Sequence, residues 1–200
     1  MSDQMALKIA INLIHVPSQV RLMRSEPLPD DVLMLLRIAA GDRDTEQTAV
    51  ALTGRAPEFI RRAASFFIEQ ILFAPDADCY RVLGASEQAS AGELRRNMGL
   101  LLRWLHPDVD PRGERSPFVG RVTGAWNNLK TPERRSAYDS QRQSARAKRA
   151  TRLNTKSRSR RQAVDAGWSW RVRTPRLMHG AVKVGFLRRA LSMLFGRPSQ

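Results

Sequence analysis

The sequence predicts an all-α protein: an antiparallel helical hairpin near the middle, an additional helical module before it, and a basic, largely disordered tail after it. Three observations carry that prediction. Apolar residues recur at helical spacing on both sides of a proline-bounded tripeptide, His106-Pro107-Asp108. Upstream, Gly41, Gly54 and Pro57 punctuate the chain at the intervals expected of short helices. Charge is unevenly divided: residues 1–139 hold 18 Lys or Arg and 18 Asp or Glu, whereas residues 140–200 hold 16 basic residues and one acid, Asp165. The whole formal net charge of +15 therefore belongs to the tail.

A chain of 200 residues, 42% hydrophobic and 26% charged, has room for one or two small domains with a core. Its one cysteine, Cys79, excludes an internal disulfide and is expected to be a small buried hydrophobe. One Cys with His15, His106 and His179 does not make a structural zinc site in a single chain. No cofactor is expected. This usage suits a reducing, cytoplasmic location. After Lys8 only residues 9–14 are apolar before His15 and Pro17, too short a run for a secretion signal or a membrane span.

Residues 5–14 read as strand or helix. Asp30 is placed to cap a helix that ends at Gly41, with Val32, Leu35, Leu36 and Ala39 on one face. Asp44 is placed to cap a second, ending at Gly54. Pro57 suits the first turn of a third helix, running to about residue 73, whose Phe59, Ile60, Phe66, Phe67, Ile68, Ile71 and Leu72 leave little of the circumference polar. Such a helix must be mostly buried. Val50, Gly54 and Ile60 have the loose spacing of a helix-turn-helix, with Arg55, Arg61 and Arg62 on the second helix, but its Phe and Ile residues favour a core hairpin over DNA reading. Ala74-Pro75-Asp76 is a short connection, so this module, residues 1–76, is expected to pack on the helical hairpin beyond it.

Leu94, Met98, Leu101, Leu102 and Leu105 put a continuous apolar face on a helix over 90–105. Val119, Val122, Trp126 and Leu129 give a second helix the matching stripe. Pro107 pushes His106 out of helical geometry, and Pro111, Gly113 and Pro117 mark a polar loop, so the tripeptide sits at an exposed turn. An exposed elbow suits recognition. Catalysis suits it less, because the pattern places no Ser or Cys nucleophile nearby.

These blocks resemble a J domain. Asp78-Cys79-Tyr80-Arg81-Val82-Leu83-Gly84 is similar to the family's first helix and its Leu-Gly stop, and the distance to His106 needs no gap. Residues 122–129 and the closing Arg135-x-x-Tyr138-Asp139 resemble the third helix and its end. The resemblance implies a co-chaperone that binds a DnaK-type chaperone ATPase and speeds its ATP hydrolysis for a specific client, with no catalysis of its own. It further implies that His106, Pro107 and Asp108 contact the partner, and that Arg95, Arg96 and Arg103, off the apolar stripe, steer it electrostatically. Met98, Gly99, Leu100 and Trp104 depart from the family's Tyr and basic residues. Leu100 and Trp104 form a second apolar strip, expected to pack on the amino-terminal helices. Neither a Gly/Phe-rich linker nor a Cys-x-x-Cys-x-Gly-x-Gly repeat follows Asp139.

After a J-like segment at 77–140, residues 141–179 read as a basic flexible linker, whose first part can extend the last J helix, and 180–196 as a short amphipathic helix. Residues 142–161 hold nine basic residues and little to form a core. In 180–196, Leu187, Ala190, Leu191 and Leu194 share a face, with Arg188 and Arg189 opposite. Both segments suit an anionic membrane surface or a nucleic acid. The alternative function is thus a nucleic-acid- or membrane-binding adaptor, the latter peripheral at the inner face of the membrane, built on a degenerate J domain.

Overall fold

The computed structural model describes residues 4–106, 108 and 113–167, with the backbone alone for residues 149, 150 and 152–167. The described residues form helices and no strand: α1 (Met5–His15), α2 (Val20–Ser25), α3 (Val32–Ala39), α4 (Arg43–Thr53), α5 (Pro57–Phe67), α6 (Cys79–Val82), α7 (Ala91–Trp104), α8 (Ser116–Leu129) and α9 (Pro132–Gly167). Met1–Arg149 form one unit and Ala150–Gln200 a second. Among the described residues no helix is long and apolar enough to cross a membrane.

Residues 5–14 resolve to helix because Ala6, Leu7, Ala10 and Leu13 line one face and are buried. The amino end of α1 has no local cap. Asp31, just ahead of α3, supplies it: the Ala6 N–H donates to Asp31 Oδ1 at 2.9 Å and Oδ2 at 3.1 Å. Asp31 therefore takes the place expected of Asp30, and serves a different helix. In α4 the cap is two residues earlier than expected: Asp42, not Asp44, accepts from the Thr45 N–H at 3.3 Å. That contact is the main cause holding the Asp42 carboxyl below its ordinary pKa.

Helix α5 packs against α1, α3 and α4 through Ile60, Ala63, Ala64 and Phe67, all buried. It continues through Ile68–Leu72 as a wider turn, in which the Phe73 N–H reaches the Ile68 carbonyl at 3.0 Å. The extra residue per turn keeps Ile68, Ile71 and Leu72 facing inward. The α4–α5 pair is thus a core hairpin. Arg61 is held by Glu46 at 2.6 Å and Glu58 at 3.1 Å, and Arg55 and Arg62 lie over the Phe59 ring.

Helices α7 and α8 pack together, α6 packs on α8, and α3 packs on α7. The regions drawn on either side of residue 76 accordingly share one hydrophobic core, running from Ala6 through Phe67 and Trp104 to Leu129. Cys79 is half-buried, more open than expected, with the Asn128 amide 3.5 Å from its sulfur. Downstream, α9 carries the helix that closes the J-like segment past residue 140, to Gly167. Pro132 at its start and a run in which Arg and Ala are the commonest residues favour helix without a core, since these side chains lose little freedom in it. The expected amphipathic helix at 180–196 lies outside the described residues, as do residues 168–179.

Candidate partner-binding site

The amino end of α7 is fixed by a reciprocal cap that the sequence Ser90-Ala91-Gly92-Glu93 encodes. The Glu93 N–H donates to Ser90 Oγ at 3.2 Å, and the Ser90 N–H donates to Glu93 Oε2 at 2.7 Å. The second contact is the main cause of a lowered Glu93 pKa. From there Leu94, Leu101 and Leu105 turn inward as the apolar period requires, and Met98 and Leu102 are half-buried at its edge. Asn97 is buried in the same stripe, 4% exposed, and donates from Nδ2 to the Leu83 and Gly84 carbonyls, both at 3.1 Å. One amide thus closes the carboxyl end of α6, whose last carbonyls have no helical partner.

Arg95, Arg96 and Arg103 are all exposed on α7. Arg95, Gly99 and Arg103 succeed one another at i, i+4 and i+8, so the flank carries positive charge at both ends of about 12 Å of helix. Gly99 is exposed, with nothing within 4 Å of where a Cβ would stand. The helix closes with the His106 N–H on the Arg103 carbonyl at 3.2 Å. His106 and Asp108 lie just beyond, with side chains 59% and 88% exposed. His106 Nδ1 lies 3.3 Å from the Asp108 N–H and 3.2 Å from Asp108 Oδ2. Unprotonated, that nitrogen accepts from the amide; protonated, it donates to the carboxylate. In both states one carboxylate oxygen has no partner among the described residues. Pro107 lies outside the described residues.

The elbow is braced from the amino-terminal module. Trp104 is 1% exposed and donates from Nε1 to Ser65 Oγ at 3.2 Å. Arg115, at the far side of the elbow, lies 4.5 Å over the Trp104 ring, and its Nε is 3.2 Å from Glu69 Oε1. Arg121 of α8 donates to the Phe73 and Ala74 carbonyls at 2.5 and 2.7 Å. Trp104 thus packs on the amino-terminal helices as its place off the main stripe predicts, and Leu100 is half-buried against the same core.

The hairpin is closed at its other end by α9. Tyr80 Oη donates to the Asp139 carboxylate at 2.9 Å and accepts from Arg135 Nε at 3.0 Å. Arg135 also holds the Ala89 carbonyl at 2.8 Å, and Tyr138 Oη accepts the Cys79 N–H at 2.9 Å. Burial raises the pKa of both phenols, so each stays protonated. Arg142 pairs with Asp78 and with Glu87, the latter at 2.7 Å. Burial opposes its charge, but the two carboxylates outweigh burial and raise its pKa. Arg142, read from sequence as the start of a polyanion-binding run, is therefore part of the fold.

The chaperone protein DnaJ of Tropheryma whipplei (strain Twist) is 42% identical to this chain over 62 residues, 31% of the chain and 17% of that protein. This chain contains a J domain. DnaJ of Leifsonia xyli subsp. xyli matches at 40% over 63 residues, 32% of the chain and 17% of its own length. Human DnaJ homolog subfamily C member 16 matches at 42% over 74 residues, 36% and 9%. The chain spans less than a fifth of the length of each of these relatives, so the likeness is to their J domain and not to the proteins as wholes. No family model matches the chain, and no solved structure matches it significantly. Two of the J domain's three sequence blocks meet at one end of the hairpin, Tyr80 from the first with Arg135, Tyr138 and Asp139 from the last, while His106 and Asp108 stand at the elbow at its other end. What sequence reasoning missed is the J domain's bracing by Ser65, Glu69 and the carbonyls of Phe73 and Ala74, for which only the off-stripe Trp104 gave a signal.

Proposed function

We propose that this protein is a co-chaperone that docks on a DnaK-type chaperone and stimulates its ATP hydrolysis. The observation that carries the reading is the exposed pair His106 and Asp108 at the end of a J-domain helix whose outer flank bears Arg95, Arg96 and Arg103. On this reading Asp108 takes a hydrogen-bonding or cationic site on the partner, which His106 and Pro107 contact beside it. The arginines raise the encounter rate with an acidic surface without adding much affinity. The chain hydrolyses nothing; it shifts a conformational equilibrium in its partner by binding one state better.

Gly99 and Leu100 stand where the family carries charge, so the electrostatic contribution is smaller here and the partner is selected more by the elbow. The deciding experiment is single-turnover ATP hydrolysis by the DnaK-type chaperone of the same organism, titrated with the wild type and with His106→Gln. Stimulation by the wild type and none by the variant, both folded by circular dichroism, is the expected result. No stimulation by either would overturn the reading and leave the adaptor function, through the basic residues after Arg142, as the one to pursue by salt-dependent binding to nucleic acid and to anionic vesicles.

A further inference from the structure

On the amino-terminal module, α1, α2 and the linker before α3 enclose an open hollow of about 570 Å³. Its walls are Met5 and Ile9 from α1 and Leu22 and Met23 from α2, and its floor is Phe67 and Ile71. Phe67 and Ile71 are buried, whereas Met5 and Leu22 are each 60% exposed, the most open large apolar side chains among the described residues. Among the described residues, the charged ones on its lining are Glu26 and Asp30, and no Lys or Arg lines it. Both acids are exposed.

The hollow is held open by groups that do not line it. Arg24 donates to the Gln70 carbonyl at 2.9 Å and so ties α2 to the turn after α5. Arg81 of the J domain donates to the Glu26 carbonyl and fixes the linker wall. A preformed apolar site loses less on binding than one that must be ordered. The linker wall contains Pro27 and Pro29, which have no N–H to offer, so strand pairing along it is limited to the edge of Glu26, Leu28 and Asp30. Selectivity for an occupant comes from side chains. Methionine at two wall positions suits occupants of varied shape, and two carboxylates with no cation on the lining select positive charge.

We propose that this hollow binds apolar, cationic segments of non-native polypeptide, giving the protein a client site of its own on the amino-terminal module. As a client site it rests on the co-chaperone reading, but the binding itself does not, and a test without chaperone keeps the two separable. The probe is a short fluorescein-labelled amphipathic peptide of leucine and arginine, followed by anisotropy against the full-length protein, with a leucine–glutamate peptide of the same pattern beside it. The variants are Leu22→Ser, at an exposed position, and the double variant Glu26→Gln with Asp30→Asn.

The wild type is expected to bind the leucine–arginine peptide and not its acidic counterpart. Leu22→Ser weakens binding about tenfold through lost apolar burial. The double variant weakens it roughly fivefold at low salt, a difference that shrinks as salt is added. Equal binding by wild type and both variants, or equal binding of the two peptides, overturns the proposal. So does Leu22-dependent self-association of the wild type in sedimentation equilibrium, which would make a second copy the occupant.

Discussion

Replacing Gly84 by alanine forces a methyl group into the place where the J domain meets α3 and the turn after α5. Gly84 has a φ of +60°, and a Cβ there would stand 3.1 Å from Val32 Cγ1, 3.2 Å from Leu36 Cδ1 and 3.3 Å from Leu72 Cδ1. The left-handed backbone alone costs a residue with a Cβ about 1 kcal/mol. Three methyl contacts that must each yield add overpacking, roughly 2 kcal/mol within a well-filled core. Gly54 supplies the reference, because its φ is +64° and nothing lies within 4 Å of its would-be Cβ. The expected costs are therefore about 3 kcal/mol for Gly84→Ala and about 1 kcal/mol for Gly54→Ala. In a folded unit of this size each kcal/mol lowers Tm by about 2–4 °C, so Gly84→Ala should fall by about 6–12 °C and Gly54→Ala by about a third of that. Thermal melts followed by circular dichroism measure both. Equal shifts for the two variants would refute the seating of the Leu83-Gly84 turn in the amino-terminal module.

Gly99→Ala should raise stability by about 1 kcal/mol, read as a higher urea midpoint, since Gly99 is an exposed helix-interior glycine with open space around it. Gly99→Lys should in addition speed association with the chaperone in stopped flow at low salt, and lose that advantage as salt rises. Tyr138→Phe leaves the Cys79 N–H without its acceptor and should cost about 1–3 kcal/mol in urea unfolding, and a cost near zero would show that the bond contributes nothing. The Glu93 carboxyl titrates below its ordinary value of 4.5 in the fold. Its stabilisation is thus complete above the ordinary glutamate range and lost as pH falls through the lowered folded value. Wild type should exceed Glu93→Gln in stability near neutrality, with the gap closing in acid; a gap independent of pH would show that the charge has no part in the cap.

The hairpin was legible because its signals are local. Leu94, Leu101, Val122 and Leu129 bury where helical periodicity puts them, and α7 ends at Trp104, ahead of the prolines in the sequence. Capping was less so, since Asp30, Asp31, Asp42 and Asp44 are chemically interchangeable and only the path of the chain decides which carboxylate meets an N–H. Asp31 serves an N–H 25 residues earlier in the chain, which no window on the sequence reveals. Helix α2 escaped prediction because its six residues bury no side chain, so no period marks it. Asn97 broke the apolar stripe without breaking the helix, because its partners are carbonyls 13 and 14 residues away. Exposure at the elbow and at Arg95, Arg96 and Arg103 was readable, whereas the groups that brace the elbow arrive from α5 by tertiary contact.

Trp104 has a bearing on where the chain can be cut as well as on stability. Many domains move between genes as cassettes because their surfaces are self-sufficient at the cut. Here a cut at Asp76 would expose an indole that is 1% open, strip its Nε1–H of Ser65, and leave Arg121 facing water where two carbonyls stood. A segment cut there would carry an exposed indole in place of a buried one, and lysine at that position in the whole chain would bury a charge against α5. The amino-terminal helices and the J domain are therefore one folding unit at this boundary, and a substitution on either side of Trp104 is felt on the other.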